Sequence, residues 1–428
     1  MRNILTMNSS HAYSYYHGLG KVCYPPLGIG YINSALKKAG YNIRFLDVFW
    51  MSNPIQEISD YISENKEWVQ VVCISGFSDS FPFQKEISRI IKEIKSDILI
   101  ISGGGLGSSL PEYLLSNTLI DFISIGEGEY SLVELINTIE SEGDLNKIDG
   151  IAFRTVNNEI IINVPSHINN LDNLEMPLYS LFDMKKYLSP HKLMSLFTSR
   201  GCPFNCNYCF KIIKGIRFRD TKNIFDEIDY LKKEYSIEHI KIMDEDFLVD
   251  KERAKIISEF LKDKGIMWSC SARADNVDYD VLYTLKKNNC QHISFGLESG
   301  DEDTLKRMNK KLDLDKFVET NNICNTLGIH NSCNIIFAYI DETVESMNNT
   351  LNFVSELRLS SPPVIQWYTP YPGTPDYYSL LEKGKINLDS LLIQLAEGRG
   401  YKHNFTKMKS SELVSYYKKF IQLQQKFI

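Results

Sequence analysis

The sequence predicts an α/β protein built from an amino-terminal doubly wound parallel sheet, a partial TIM-like (β/α)6 barrel and a helical carboxy-terminal region. Three observations carry this reading. Short β-branched runs alternate with amphipathic stretches from the start to residue 142, a polar, proline-punctuated connector follows, and the alternation then resumes near residue 191. A chain of 428 residues has room for two or three cores. The boundaries this implies are 1–142 for the first domain, 143–190 for the linker, 191–380 for the barrel and 381–428 for the helical end.

In the first domain the runs at 43–48, 69–75, 98–102 and 121–125 read as buried strands, and 27–40, 54–65, 83–95 and 129–142 as the helices around them. Near-continuous apolar strands alternating with helices call for a parallel sheet covered on both faces. Such sheets bind ligands beyond the carboxyl ends of their strands, so the turns there matter most. Two of those turns are rich in glycine: Gly103, Gly104 and Gly105 follow one strand, and Gly126-Glu127-Gly128 follows the next. Glycine lets backbone approach a bulky ligand. The first turn has no P-loop lysine, which argues against phosphate transfer.

The connector holds a small β-like segment at 150–154 and 159–164, then runs through Met176-Pro177. Six strand candidates follow at 193–198, 240–243, 267–272, 292–297, 332–337 and 364–368. Residues 410–428 read as an amphipathic helix, suited to core packing or to a partner contact, of which packing is the commoner.

Composition narrows the class. Hydrophobic residues make up 43% and charged residues 24%, the balance of a folded globular chain. A net charge of −7 gives no general pull towards nucleic acid or anionic lipid. No run approaches the length of a membrane span and the start lacks a signal-peptide core, so a cytoplasmic protein is expected. Six of the nine cysteines lie at scattered positions, unlike a disulfide framework.

The other three are Cys202, Cys206 and Cys209, at spacings of four and three on a loop after a strand. Three thiolates on one loop can hold three irons of a four-iron cluster and leave one iron open. A structural zinc would need a further ligand pair, and no nearby C-x-x-C or H-x3-H supplies it. This C-x3-C-x2-C loop resembles the signature of the radical S-adenosylmethionine (SAM) superfamily. The resemblance implies that Cys202, Cys206 and Cys209 bind a [4Fe–4S] cluster whose open iron chelates SAM, and that Tyr208 lies beside the adenine.

Further segments fall at the strand ends of the expected barrel. Asp244, Glu245 and Asp246 end the second strand and could hold the SAM ammonium or the substrate, and Arg273 ends the third, where it could pair with the SAM carboxylate. Ser294-Phe295-Gly296-Leu297-Glu298-Ser299 is similar to the superfamily's fourth-strand motif, which implies that Glu298 and Ser299 face SAM. Tyr371-Pro372-Gly373-Thr374-Pro375 and the order of the amino-terminal turns resemble the branch that joins a cobalamin-binding domain to the barrel. That branch usually has a glycine-proline-glycine-Glu-Thr turn in the fifth strand, where this chain reads Ala338-Tyr339-Ile340-Asp341-Glu342-Thr343. By the same resemblance, Gly103, Gly104, Gly105, Gly126 and Glu127 would line a cobalamin site. His17 stands three residues before Gly20 but Tyr15 takes the place of the aspartate that orients a cobalt-ligating histidine, so no imidazole is expected below cobalt.

The resemblance implies an enzyme that cleaves SAM to a 5′-deoxyadenosyl radical, followed by methyl transfer from methylcobalamin to carbon. Rearrangement, cyclisation or other oxidoreductase chemistry, with or without cobalamin, is the alternative. The partners implied are a small-molecule or peptide substrate and an external electron donor such as flavodoxin or ferredoxin, with neither nucleic acid nor membrane.

Overall fold

The computed structural model describes residues 2–9, 14–17, 20–397 and 403–427. The chain divides into two compact units: Met1–Tyr187 with Phe210–Ile213 and Tyr371–Arg399, and Leu188–Cys209 with Lys214–Pro370 and Gly400–Ile428.

The first unit is built on strands β1 (Asn3–Asn8), β4 (Asn42–Asp47), β5 (Val71–Ser75), β6 (Leu99–Gly103), β7 (Phe122–Ser124), β8 (Ile151–Arg154) and β9 (Ile160–Ile162). They form one seven-stranded sheet in the order β4-β1-β5-β6-β7-β8-β9. From β4 to β7 the pairs are parallel, and β8 and β9 are added antiparallel. The β-like segment expected in the connector is therefore the edge of this sheet, with Ile151 and Ala152 fully buried.

Both faces of the sheet are covered, as its apolar strands require. On one face Leu5, Val72 and Ile100 pack against Ile58 and Ile62 of the helix Pro54–Glu64 and Ile87 and Ile91 of the helix Phe81–Ile94. On the other, Ile4, Val71 and Ile101 meet Leu36 of Leu27–Lys38 and Leu132, Leu135 and Ile136 of Gly128–Glu140. The i, i+4 spacing of these residues lays one apolar stripe per helix on the sheet. A short hairpin of β2 (Ser14–His17) and β3 (Gly20–Cys23) precedes the first helix. The later helix Leu388–Ala396 belongs to this unit and adds Leu392 to its core.

In the second unit β10 (Leu193–Leu196), β13 (His239–Ile242), β14 (Met267–Ala272), β15 (Cys290–Glu298), β16 (His330–Phe337) and β17 (Val364–Trp367) form a six-stranded sheet in chain order. Every pair is parallel, which is the (β/α)6 partial barrel expected. An antiparallel hairpin of β11 (Ser199–Cys202) and β12 (Gly215–Phe218) is inserted after the first strand.

Side-chain caps fix where the outer helices begin. Asp220, Asp250, Asp278, Asp301 and Asp313 each accept a first-turn backbone N–H, and Thr343 closes a capping box with Ser346. The last helix, Ser410–Gln425, packs Phe420 on Phe337 at 5.4 Å and Tyr417 on Trp367 at 5.7 Å between ring centres.

Candidate active site

The cysteine loop leaves the barrel through a turn built around one buried carboxylate. Asp244, at the end of β13, accepts from the backbone N–H of Thr198 at 2.7 Å, from Ser199 Oγ at 2.6 Å and from Thr198 Oγ1. Arg253 donates to Thr198 Oγ1 at 3.1 Å and to the Thr198 carbonyl, so Thr198 is held from both sides. Burial raises the Asp244 pKa, and these donors and the Arg253 charge oppose that rise. Asp244, expected as a ligand of SAM or substrate, thus has its oxygens engaged in holding the loop. Gly201 is required here: its φ is +86°, and a Cβ would stand 2.3 Å from the Gly215 carbonyl of the facing strand.

Beyond the hairpin, Cys206 is buried, with Cys202 and Cys209 partly exposed. Cys206 shares hydrogen bonds with the Cys209 thiol and the Tyr208 hydroxyl. The Cys209 bond and the charges of Lys310 and Arg273 favour its thiolate against burial. The same contact and burial hold Cys209 protonated. Tyr208 is held neutral by burial and by the charges of Glu298 and the two cysteines.

A segment absent from the expected site clamps this loop. The Asn207 N–H donates to the Met308 carbonyl at 2.9 Å, the Asn207 side chain to the Arg307 carbonyl at 2.8 Å, and the Asn309 side chain to the Asn205 carbonyl at 2.6 Å. Residues 307–311 therefore set the position of the cysteine loop, and they bring in Lys310.

Lys310 meets Glu298 at 3.0 Å, with both side chains almost fully buried. Glu298 reaches it through a bulge: the β15–β16 register shifts between Gly296 and Glu298, and Glu298 takes φ +67°. A bulge re-aims a side chain at a strand end, and a non-glycine residue in this region stores strain of order 1–3 kcal/mol. Gly296 clears the path, since a Cβ there would fall 2.6 Å from Glu298 Oε1 and 2.7 Å from Lys310 Nζ. Ser299 is buried, in contact with Thr350 Oγ1 at 3.0 Å, and accepts from the Asp301 N–H at 3.1 Å.

The other acids of β13 differ from Asp244. Glu245 is exposed. Asp246 is 1% exposed and its Oδ2 has no hydrogen-bond partner. Burial pushes its pKa up to about 6. Arg273 is committed within the protein: it pairs with Asp275 at 2.6 Å, donates to the Lys310 and Lys311 carbonyls at 2.8 and 2.9 Å, and lies over the Phe204 ring at 4.1 Å. It sets Lys310 and the base of the cysteine loop.

The fifth-strand turn keeps its shape without glycine. Ala338 and Asp341 take φ +65° and +58°, and Glu342 accepts from the Tyr339 N–H at 2.9 Å. Glu342 is 1% exposed, and burial pushes its pKa up to about 8 from 4.5. The native state holds this proton up to about pH 8 whereas the unfolded chain releases it near 4.5. Stability is therefore expected to fall as pH rises through that window, by at most about 1.4 kcal/mol per pH unit from this group. Glu342→Gln should flatten that slope in denaturant unfolding measured from pH 5 to 8, and an unchanged slope would remove Glu342 as its source.

In the first unit the glycine-rich turn is a helix start. Gly103 ends β6, and Gly104 opens the helix Gly104–Ser109 with φ +75°. A Cβ on Gly104 would meet Ser75 Oγ at 2.9 Å and the Gly76 carbonyl at 3.0 Å, and one on Gly105 the Phe77 ring at 2.5 Å. Added Cβ atoms at Gly104 and Gly105 would thus meet neighbouring residues of this unit. At the carboxyl edge β1, β5 and β6 run into the small residues Ser9, Gly76 and Gly104. Gly126, at φ +84°, takes a hydrogen bond from its N–H to Ser108 Oγ at 2.9 Å, and Glu127 accepts from the Ile168 N–H at 2.9 Å. Glu127 therefore ties the connector to this edge. The backbones of His17 and Gly20 pair in the β2–β3 hairpin, while the side chains of Tyr15 and His17 lie outside the described residues. Gly373, with φ +90°, leaves room for the Phe210 ring, which a Cβ would meet at 2.6 Å.

These residues fit an iron–sulfur cluster and a broad flat ligand. The thiol loop has cations at its base, and Asp246 offers an unused buried acceptor. Among the described residues no three or more His, Cys, Asp or Glu side chains converge on a single metal ion. A four-iron cluster takes each thiolate on a separate iron. Small Ser and Gly residues end the strands at the carboxyl edge, where such sheets take their ligands and where no large side chain of the turn itself would keep a macrocycle from the backbone.

Comparison with known proteins agrees. Residues 196–354 match the radical SAM superfamily and residues 20–136 match the B12 binding domain. The chain thus carries a B12-binding domain followed by a radical SAM domain, and its cofactors are a [4Fe–4S] cluster, SAM and cobalamin. Among curated proteins it is 27% identical to an uncharacterized methyltransferase of Pyrococcus horikoshii, over 82% of this chain and 77% of that one. It is 25% identical to an anaerobic magnesium-protoporphyrin IX monomethyl ester cyclase of Rubrivivax gelatinosus, over 85% and 67%. The fold is shared with the radical SAM methyltransferase TsrM of Kitasatospora setae, with a TM-score of 0.73 at 16% identity, covering 90% of this chain and 76% of that one. It is also shared with the cobalamin-dependent radical enzyme OxsB, with a TM-score of 0.70 at 20% identity, covering 95% and 58%. No helix among the described residues is long and apolar enough to cross a membrane.

Proposed function

We propose that this chain is a cytoplasmic cobalamin-dependent methyltransferase that methylates carbon on a small molecule or peptide. The observation that carries the reading is the three-cysteine loop beside the buried Glu298–Lys310 pair, in a chain that also has a B12-binding domain. When bound, the cluster and SAM supply a 5′-deoxyadenosyl radical and cobalamin supplies a methyl group, with the electron from a donor such as flavodoxin or ferredoxin. Cys202, Cys206 and Cys209 hold the cluster. Tyr208, Glu298 and Ser299 form the wall that SAM meets, and Asp246 offers it a buried acceptor. Lys310 neutralises Glu298 in the absence of SAM, and Arg273 and Asp244 position the loop. Gly103 to Gly105, Gly126 and Glu127 shape the edge that cobalamin approaches.

The kinship to the cyclase favours a second reading, in which the radical closes a ring and no methyl is added. One experiment separates them. Protein reconstituted anaerobically with iron, sulfide and cobalamin is given SAM with a trideuterated methyl group, a reductant and a small-molecule extract of the producing cells. Methyl transfer puts the label on a carbon of one extract component, read by mass spectrometry. Formation of 5′-deoxyadenosine with no labelled component would overturn the methyltransferase reading in favour of cyclisation or rearrangement.

A further inference from the structure

The six-stranded sheet has two chemically different faces. One carries the apolar alternate residues and the helices: Trp268 donates to the Asn288 carbonyl at 2.7 Å, and Phe295 meets Phe317 at 6.2 Å. The other face is polar. Register places Ser195, Lys241, Ser269 and His292 side by side on β10, β13, β14 and β15, and Ser271, Ser294 and Ser332 in the next row towards the carboxyl ends. Parallel partners in register point to the same side of a sheet, and His292 Nε2 lies 3.1 Å from Ser332 Oγ.

Lys241 is the cation of this face. It is partly exposed, between Ile240 and Ile242, which are fully buried on the helix side. Among the described residues it has no hydrogen-bond or ion-pair partner. The thiols nearest its charge, Cys270 and Cys290, are both fully buried and held protonated, so neither supplies a counter-charge. Beside it, Ser195 is 2% exposed and its Oγ lacks a partner. An ammonium and a buried hydroxyl left unpaired side by side are costly unless a ligand completes them.

We propose that this face receives an anionic group of the substrate, a carboxylate or a phosphate, with Lys241 as its counter-ion and the hydroxyls of Ser195 and Ser269 and the His292 ring as its hydrogen-bonding surround. This rests on the reading above only in taking the ligand to be the substrate. It narrows the substrate to acids, and the serines, being short, leave the space the anion fills.

The test uses the full chain and two anion probes, sodium phosphate and sodium acetate, against sodium chloride at matched ionic strength. Acylation of Lys241 by an amine reagent is followed by peptide mass spectrometry. Slower acylation with one probe than with chloride is expected, and the probe that acts tells phosphate from carboxylate. In parallel, Lys241→Gln should bind that probe on the order of tenfold more weakly, as loss of a charge-assisted hydrogen bond implies. The acylation arm uses the unmutated chain, so a poorly folding variant does not void it. No protection by either probe would overturn the proposal. The methyltransferase reading has separate readouts, SAM cleavage and label transfer, and stands if these persist while protection is absent.

Discussion

Cys206→Ala should leave the reconstituted protein almost without iron and unable to cleave SAM. Of the three cysteines this is the buried one, hydrogen-bonded to both the Cys209 thiol and the Tyr208 hydroxyl and facing the Lys310 and Arg273 charges. Alanine removes one of three iron ligands, and the remaining two cannot complete a cubane with one open iron. Wild-type protein should carry about four irons per chain, read by chelation assay and by the broad visible absorbance of the cluster. Cys333→Ala is the control, because Cys333 is fully buried on β16, outside the loop, and should lose stability without losing iron. A Cys206→Ala protein that retained wild-type iron and SAM cleavage would refute the cluster assignment.

Asp244→Ala should destabilise the protein by about 3 kcal/mol and loosen the cysteine loop with it. The carboxylate accepts three hydrogen bonds, two from Thr198 and one from Ser199, and its charge balances Arg253 on the far side of Thr198. Removing one partner of a buried charged network leaves donors unpaired and Arg253 uncompensated, which is worth about 3–5 kcal/mol. Glu245→Ala provides the comparison, since that neighbour is exposed and its loss should fall within about 0.5 kcal/mol. Chemical denaturation followed by fluorescence gives both values. Equal, small effects for the two variants would show that the Asp244 network does not hold the turn.

Much of this architecture is legible in the sequence because it is written in local patterns. Parallel strands announce themselves as β-branched runs, and the cysteine spacing is contiguous. Lys310 was not legible. In Met308-Asn309-Lys310-Lys311 it reads as part of a solvated charge pair, and its burial against Glu298 depends on a bulge fifteen residues or fewer upstream that no periodicity reveals. Asp244 and Arg273 read correctly as strand-end charges, but spacing does not say whether such a group faces a ligand or its own backbone, and here the Thr198 and Lys310 segments claim them. The fifth-strand turn misleads in the other direction. Its lost glycines suggest a lost conformation, yet Ala338 and Asp341 adopt the left-handed backbone regardless, at a cost of roughly 1–2 kcal/mol each that the surrounding barrel offsets.

The hairpin of β11 and β12 also bears on how iron enters. Cys202 is paired in register with Gly215, and the backbone around it is fixed by that ladder and by the Thr198 network. Part of the ordering that chelation demands is therefore completed when the polypeptide folds, before any metal arrives. If that ordering persists without metal, the first ligand would stay in place when iron is lost, and the centre would refill without refolding. Slow amide exchange at Gly201 and Cys202 in metal-free protein would be the direct sign of that preformed cradle.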